Sequence, residues 1–372
     1  MKQDTNGSDN PKILALCGTF GMGGIEKMRL NLLQAGMSFD ACADIPDHGD
    51  LEEEMQKCGC QTFHLTRRSQ NFIKHHIDLY RIIRDGKYSI VWLNSQNAFF
   101  MWLHILTARA AGAKKIVVHS HNTRDWRAKD KNRLSRMFRH ILYQSADICL
   151  ACGKEAALWL FGTDQNVQIV PLPIDTNHLM VTDKKRSCAR QTLCLEGRQV
   201  FLQVGRFDPV KRQDYTLRVF EKIHEVKQNA VLIFAGDGQE KQKIIDMAKQ
   251  MGLLSSVRFP GNVKDMSLYY AAADAVFLPS LYEGFPTVLL EAQAAGVFCL
   301  TSDTIDHTIN RTGLVRFLKA DEKQIDAWTV AALSAKGLSE DDRIKANRHI
   351  AQEYSAETIA LRLEKLFRSS IL

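Results

Sequence analysis

The sequence predicts an α/β fold of two domains, each built on a parallel sheet, and three features support this prediction. Short apolar segments typical of strands alternate with amphipathic segments typical of helices in both halves of the chain. Strands that alternate with helices form parallel βαβ units. The chain has 372 residues, which suits two domains better than one. The segment PLPIDTNHL at 171–179 has two prolines and no helical periodicity, so we expect it to link the halves.

The predicted elements can be placed in order along the chain. No clear strand leads to Asp40 or Asp44. The apolar run at 98–106 contains His104 and is too short to span a membrane, so it should be a buried helix. Further amphipathic helices are expected at 215–226, at 241–252 and from 355 onward. Strands are expected at 12–18, 89–94, 115–120, 147–152 and 167–171, and then at 200–205, 231–236, 257–259, 275–279 and 297–301.

The composition indicates a cytoplasmic globular protein. The hydrophobic fraction of 45% supplies enough apolar side chains for two cores. The N-terminal decapeptide is polar and lacks the apolar core of a secretion signal. The nine cysteines are an odd number scattered through apolar segments, a pattern typical of reduced, buried thiols in the cytosol.

The positive charge is concentrated in one segment, 114–139. The chain has a formal net charge of +7, and this segment alone contains nine Lys or Arg and two Asp. Trp126, Met137 and Phe138 lie between the cations. A basic amphipathic stretch can dock on an anionic membrane surface, but an ordinary solvated helix has the same pattern. The sequence leaves both interpretations open, and the first places the protein on the inner face of the membrane.

The segment SLYEGFPTVLLEAQAAG at 280–296 carries the most specific information about function. It follows an apolar strand, and a helix opens near Pro286, at the edge of the sheet where α/β proteins bind ligands. The free N–H groups of that helix suit a phosphate. Glu283 and Glu291 would repel a phosphate but can accept hydrogen bonds from sugar hydroxyls. A nucleotide sugar is a ligand that has both phosphates and sugar hydroxyls. The predicted contacts here are Glu283, Gly284, Phe285, Pro286, Thr287 and Glu291.

Two cations follow the strand at 200–205. Arg206 comes directly after it, and Lys211 comes five residues later, across a turn. Both can reach one diphosphate, and neutralising a departing nucleoside diphosphate is the main electrostatic task in sugar transfer. No D-x-D triplet for a metal-held diphosphate is present. We therefore expect no metal and no other cofactor.

These motifs resemble those of the retaining glycosyltransferases of family 4. The Glu-x7-Glu pair, VGRFDPVKRQD at 204–214 and the segment 235–280 match the family in its second half. GTFGMGGIEKMRLNLL at 18–33 and VVHSHNT at 117–123 match more loosely in the first half, and HSHNT is most similar to bacterial exopolysaccharide and capsule enzymes.

The resemblance implies the GT-B fold, in which two Rossmann-like domains face a cleft and a C-terminal helix crosses back to the first domain. The expected domains are 1–172 for the acceptor, 173–350 for the nucleotide sugar, and 351–372 for the crossing helix. The family pattern also implies roles for single residues. Arg206 and Lys211 would bind the diphosphate, and Asn262 and Val263 would lie near the base.

In the first domain the resemblance implies a loop and a histidine. Gly23 and Gly24 would present backbone amides to donor phosphates or acceptor, and Glu26 matches the acid of this loop. His121, rather than His119, would contact the transferred sugar or the reacting centre. The loop is not the G-x-G-x-x-G of a dinucleotide site, because Lys27 stands where the third glycine would be.

The predicted function is retaining transfer of a hexose or N-acetylhexosamine. The donor would be a nucleotide diphosphate sugar, with a UDP-sugar favoured, and the acceptor a saccharide or lipid-linked saccharide of a cell-surface polysaccharide. Glu283, His121, Arg206 and Lys211 are the predicted catalytic residues. Nucleic acid is not an expected partner. Two alternatives remain: a nucleotide-sugar epimerase or phosphorylase of similar fold, and a non-catalytic relative that binds sugar nucleotides.

Overall fold

The computed structural model describes residues 11–21, 23–94, 97–121 and 133–369. The chain divides into two compact units. The first unit comprises Met1–Pro173 and Ala356–Leu372, and the second comprises Ile174–Ser355.

The first unit contains a parallel sheet of seven strands in the order β3-β2-β1-β4-β5-β6-β7. Apolar side chains fill both faces of this sheet, since every central strand is buried on both sides. Its strands are β1 (Ile13–Cys17), β2 (Asp40–Ala43), β3 (Thr62–His64), β4 (Ile90–Leu93), β5 (Lys115–Ser120), β6 (Ile148–Ala151) and β7 (Val167–Ile169). Its helices are α1 (Gly24–Gln34), α2 (Glu52–Lys57), α3 (Phe72–Gly86), α4 (Ala98–Ala110), α5 (Arg133–Ser145) and α6 (Lys154–Phe161).

The second unit contains a parallel sheet of six strands in the order β10-β9-β8-β11-β12-β13. Short 3₁₀ turns occur at Pro209–Lys211, His307–Ile309 and Glu322–Gln324. The strands are β8 (Gln199–Val204), β9 (Ala230–Ala235), β10 (Val257–Gly261), β11 (Ala275–Leu278), β12 (Phe298–Ser302) and β13 (Val315–Leu318). The helices are α7 (Thr176–Leu179), α8 (Asp183–Thr192), α9 (Gln213–Val226), α10 (Lys241–Gln250), α11 (Ser267–Ala272), α12 (Thr287–Ala294), α13 (Ile325–Leu333) and α14 (Glu340–Tyr354).

The two parallel sheets confirm the predicted fold class, but the prediction lacks three strands, β2, β3 and β13, and it is wrong about Asp44. A strand does lead to Asp44, because β2 ends at Ala43 and pairs in parallel with β1. This strand has only four residues, and it begins with Asp40 and contains two alanines, so neither length nor apolar character made it recognisable. The strands β3 and β13 have only three and four residues, so their shortness alone made them hard to recognise.

The C-terminal helix α15 (Ala356–Arg368) packs in the first unit. Phe367 is fully buried, and its ring lies 5.4 Å from that of Trp92 in β4. The ammonium group of Lys115 donates to the carbonyl oxygens of Phe367 at 2.7 Å and Ser369 at 2.8 Å. A cation at the C-terminal end of a helix stabilises its unpaired carbonyls. Lys115, one of the cations of the basic segment, is therefore buried and holds this helix.

Four other cations of that segment lie in residues 122–132, outside the described ranges, as does Trp126. They are Arg124, Arg127, Lys129 and Lys131. In the part of the chain that the structure describes, no helix combines the length and apolar character needed to cross a membrane. All nine cysteines are free thiols.

Candidate active site

Three loops at the carboxyl edge of the second sheet are joined by backbone hydrogen bonds. The amide of Gly205, after β8, donates to Ala235 O at 2.9 Å, and the amide of Phe207 donates to Asp237 O at 2.9 Å. The amide of Gly236, after β9, donates to Gly261 O at 2.8 Å. The segments that follow β8, β9 and β10 are therefore joined side by side at this edge.

Glycine is required where these loops touch. Gly236 has φ +145°, and a Cβ at this position would lie 2.1 Å from the carbonyl oxygen of Gly205. Gly238 has φ +153°, and its Cβ would lie 2.4 Å from Phe207 O. Both contacts are to backbone, which cannot move aside without breaking the loop pairing. The AGDG sequence thus fixes the loop that carries Arg206.

Lys211 is held by its backbone as well as by its side chain. It ends the 3₁₀ turn Pro209–Lys211, and its carbonyl accepts a hydrogen bond from Gln203 Nε2 at 2.8 Å. Its Nζ donates to Oε1 of Glu283 at 2.6 Å. The structure therefore brings together the predicted phosphate-binding cation and the first carboxylate of the Glu-x7-Glu pair.

The loop that carries Glu283 is attached to the same turn. The amide of Leu281 donates to Val210 O at 2.9 Å. The side chains of Lys211 and Glu283 are 22% and 13% exposed, so their ion pair is largely shielded from water. A shielded pair attracts strongly and leaves a costly isolated charge if one member is removed.

Arg206 differs from Lys211 because its guanidinium is exposed. The backbone carbonyl of Arg206 accepts from Gln213 Nε2 at 2.9 Å, which fixes its main chain. Among the described residues its guanidinium has no hydrogen bond or ion pair. This cation is therefore available to an anion from solution. Arg212, by contrast, donates to the carbonyl of Ala320 and lies over the ring of Tyr215.

Glu291 lies in the second turn of α12 and is held by a residue that the sequence did not indicate. The hydroxyl of Tyr270, in α11, donates to Oε2 of Glu291 at 2.6 Å. Tyr270 is fully buried, and both this burial and the nearby carboxylate raise its pKa well above the ordinary value, so it remains a donor. Tyr270 and Glu291 are 21 residues apart, and no spacing rule connects them.

The opening of α12 lies one residue later than predicted. Pro286 is the N-cap and Thr287 begins the helix. Pro286 is buried, whereas Gly284 and Thr287 are partly exposed, and Phe285 packs against the core of the second unit. The helix N-terminus thus follows β11 closely, as the sequence predicted.

The residues predicted to lie near the base occupy the loop after β10. Asn262 is exposed, and Val263 packs against the core. This loop is attached to the AGDG loop through Gly261, so it belongs to the same edge of the sheet.

In the first unit, the glycine loop opens α1. Gly23 is the N-cap, and both Gly23 and Gly24 are exposed. The carboxylate of Glu26 lies over Gly23, because a Cβ there would come 2.2 Å from Oε2 of Glu26. The helix opening already carries a negative charge at this point, which stabilises α1.

His121 directly follows β5 and is half-buried. Its Nε2 lies 2.7 Å from Oδ1 of Asn94, and its ring centroid lies 3.9 Å from that of His119. Burial, His119 and the cation Arg29 lower the pKa of His121 well below the ordinary value. His121 is therefore neutral near pH 7, which suits hydrogen bonding. His119 is 1% exposed, and its pKa is lowered to about 3, chiefly by burial.

Two family models match the chain. Residues 186–309 match the model for glycosyl transferases group 1, and residues 27–178 match the model for glycosyltransferase family 4. The putative glycosyltransferase EpsF of Bacillus subtilis is 30% identical over 361 residues, which cover 91% of each chain.

A more distant relative and two solved structures are also similar. An Escherichia coli UDP-Gal:alpha-D-GlcNAc-diphosphoundecaprenol alpha-1,3-galactosyltransferase is 26% identical over 62% of each chain. HepE of Anabaena, solved in complex with UDP, superimposes with a TM-score of 0.78 at 15% identity, over 96% of this chain and 100% of that one. WaaG, a glycosyltransferase involved in lipopolysaccharide biosynthesis, gives a TM-score of 0.69 at 16% identity, over 96% of this chain and 100% of that one.

The motifs found in the sequence agree with three findings. These are the extent of the match to EpsF, the two family models and the two parallel sheets. The chain belongs to glycosyltransferase family 4 and is a glycosyltransferase of the GT-B fold.

Proposed function

We propose that this glycosyltransferase transfers a sugar from a UDP-sugar to a saccharide or lipid-linked saccharide of an exopolysaccharide, with retention of anomeric configuration. The contact between Lys211 and Glu283 carries this proposal. It places a cation suited to a diphosphate beside a carboxylate suited to sugar hydroxyls, at the edge of a parallel sheet where ligands bind.

In this proposal each charged group at that edge has one task. The exposed guanidinium of Arg206 and the ammonium of Lys211 neutralise the diphosphate as it departs. Glu283 accepts hydrogen bonds from the transferred sugar, and Glu291, oriented by Tyr270, accepts them from the ribose. The amides of Gly284, Phe285 and Thr287 and the loop at Asn262 and Val263 contact the remainder of the nucleotide.

Groups of the first unit would act on the acceptor and the transferred sugar. His121 is neutral and held by Asn94, so it can hydrogen bond to the sugar without exchanging a proton. Gly23 and Gly24 offer amides, although the carboxylate of Glu26 beside them favours a neutral or hydroxyl-rich partner over a phosphate.

The relatives support the choice of donor and acceptor. Structures of HepE contain UDP or UDP-glucose, and the E. coli relative is a UDP-galactose-dependent enzyme that acts on a diphosphoundecaprenol-linked sugar. Other relatives are GDP-mannose-dependent, so the base must be tested.

A lipid-linked acceptor requires contact with a membrane, and the first unit has a surface that suits one. Helices α3 and α4 border a groove of about 650 Å³ lined by Phe72, Ile73, Ile77, Leu103 and Leu106. Ile73 is 70% exposed, an unusual position for a large apolar side chain. Arg81 and Arg84 line the same groove, and Arg84 pairs with Asp85 of α3 at 2.8 Å. None of the described residues that line the groove is acidic. We propose that this groove faces anionic lipid.

A thermal-shift panel of UDP-, GDP- and ADP-sugars tests the donor. A ligand that binds the folded state raises the apparent melting temperature, and the stabilisation grows with the logarithm of its concentration over its dissociation constant. We expect a shift with UDP-sugars and little with the others. A shift with none of these nucleotides would argue against donor binding. Retention is tested separately, from the anomeric configuration of the product as measured by NMR.

Metal independence is tested separately. Because Arg206, Lys211 and the opening of α12 supply positive charge, transfer at 25 °C should persist in excess EDTA. Loss of turnover that is restored by Mg²⁺ or Mn²⁺ would contradict this part of the proposal.

A further inference from the structure

A buried group of three metal-ligating side chains lies in the first unit, and none of the three has been assigned a role in sugar transfer. Asp44, His75 and His104 each place one ligand atom within 4.8 Å of the other two. Their exposures are 8%, 0% and 1%. Asp44 directly follows β2, His75 lies in the first turn of α3, and His104 lies in the middle of α4.

Hydrogen bonding among these groups is incomplete. Nδ1 of His75 lies 2.8 Å from Thr66 O and must carry the proton, since a carbonyl only accepts. Nε2 of neutral His75 is then an acceptor, and it lies 3.0 Å from Nε2 of His104. One proton can lie between these nitrogens. Oδ1 of Asp44 is buried without a hydrogen-bond partner in the described part of the chain. A buried polar atom left unpaired costs about 1–3 kcal/mol.

We propose that Asp44, His75 and His104 bind a divalent transition-metal ion, with Zn²⁺ the best match. One ion among the three ligand atoms would satisfy both imidazole nitrogens and the carboxylate together. Two histidines and one carboxylate are a ligand set that zinc accepts, with a fourth position left for water. The hydrogen bond from His75 to Thr66 fixes the ring in the orientation that presents Nε2, as metal-ligating histidines require.

Arg68 gives the proposal an internal control. Its Nη2 lies 3.3 Å from Oδ2 of Asp44, so it orients the carboxylate and leaves Oδ1 toward another partner. Its charge opposes a cation at the site. Replacing it by a neutral residue should therefore tighten metal binding, whereas loss of a ligand should weaken it. The bound ion would tie β2, α3 and α4 together and stabilise the first unit.

The test measures Zn²⁺ and Co²⁺ binding by the full-length protein after removal of metal. Wild type should bind one Zn²⁺ in competition with a chromophoric chelator, and Co²⁺ should give the visible bands of a four-coordinate nitrogen and oxygen site. Asp44→Asn and His104→Gln should each weaken binding at least about tenfold. Arg68→Gln should strengthen it. Far-UV circular dichroism establishes that each variant is folded.

A matched control comes from the second histidine and carboxylate group of the first unit. There Glu52 accepts from His48 at 2.9 Å and from His64 at 2.8 Å, so its carboxylate is already satisfied. His48→Ala should leave binding unchanged. The proposal is overturned if wild type binds no ion, if folded Asp44→Asn binds as tightly as wild type, or if Co²⁺ shows the ultraviolet charge-transfer bands of cysteine thiolate.

Discussion

The ammonium group of Lys211 lies 2.6 Å from a carboxylate oxygen of Glu283, so the cation expected at the diphosphate and the carboxylate expected at the sugar are joined. Neither side chain is more than about a quarter exposed. Each charge therefore fixes the position of the other before a ligand arrives. A diphosphate would offer Lys211 a second anion and compete with Glu283 for it.

Replacing Glu283 by alanine should lower turnover without weakening nucleotide binding. We expect turnover to fall by about 10²–10³-fold, the effect typical of removing a group that stabilises the transition state. UDP should bind as tightly as before or more tightly, because Lys211 loses the carboxylate that competes for it. Calorimetry with UDP and initial rates with the identified donor measure the two effects. Glu225→Ala, which removes an exposed carboxylate, is the control. Near wild-type turnover in Glu283→Ala would refute the assignment.

Arg206→Ala should weaken the binding of a nucleoside diphosphate far more than the binding of the free nucleoside. Its exposed guanidinium has no partner among the described residues, so its loss removes a charge-assisted contact of about 1.5–3 kcal/mol, roughly tenfold or more in affinity. Titrations with uridine and UDP compare the two ligands. Lys227→Ala removes an exposed cation at the far end of α9 and should change neither. Equal losses for uridine and UDP in Arg206→Ala would mean that this residue does not bind phosphate.

Tyr270→Phe should weaken nucleotide binding through Glu291. It removes one hydrogen bond to the carboxylate and keeps the buried ring, so the expected loss in UDP affinity is about 0.5–1.5 kcal/mol, and the loss in Glu291→Ala should be larger. If Tyr270 acts through Glu291, the double variant should bind no more weakly than Glu291→Ala alone. Additive losses would show an independent role. Tyr269→Phe, on the same helix, is the control.

Gly236→Ala should destabilise the second unit and displace Arg206. The added methyl would lie 2.1 Å from Gly205 O at a φ of +145°, which combines steric overlap with backbone strain. We expect a loss of at least about 2 kcal/mol in the free energy of unfolding. Gly252→Ala separates the two causes, since Gly252 has φ +72° but open space around its Cβ. Calorimetric scans should show a clearly larger loss of unfolding free energy for Gly236→Ala than for Gly252→Ala. Similar losses would mean that backbone strain alone causes the effect.

The sequence predicted the parts of the second unit that depend on local signals. The strand before Arg206, the helix after Pro286 and the separation of Glu283 from Glu291 follow from apolar periodicity, proline placement and a specific motif. That Lys211 contacts Glu283 is a different kind of fact. The two residues are 72 positions apart, and only the strand order of the sheet brings them together.

What the sequence missed shares one physical cause. Tyr270, Asp44 and His75 are buried polar residues whose partners come from other elements, so no neighbouring residue marks them. The strand β2 was not predicted because alanine and aspartate are not typical strand residues, although burial on both sides stabilises it. Predicting these contacts requires knowing which elements are neighbours, and that information lies in tertiary packing.

The groove between α3 and α4 should bind anionic vesicles, and replacing its apolar and basic side chains by glutamate should prevent this binding. Ile73→Glu with Arg81→Glu removes apolar surface and a cation together, and each cation near an anionic surface contributes at most about 1 kcal/mol. Binding should weaken with salt, since charges are screened over roughly 8 Å at physiological ionic strength. Liposome co-sedimentation at low salt provides the measurement. Val330→Glu, at a residue of the second unit with similar exposure (66%), is the matched control.

A second variant separates this groove from the basic segment at 114–139. Reversing Arg127, Lys131 and Arg133 to Glu tests cations that lie mostly outside the described residues. If only this variant loses binding, the basic segment is the docking surface and the groove is not. If wild type does not bind anionic vesicles at low salt, neither surface docks on a membrane. In that case a soluble saccharide becomes the better acceptor, because a lipid-linked one can be reached only at the bilayer.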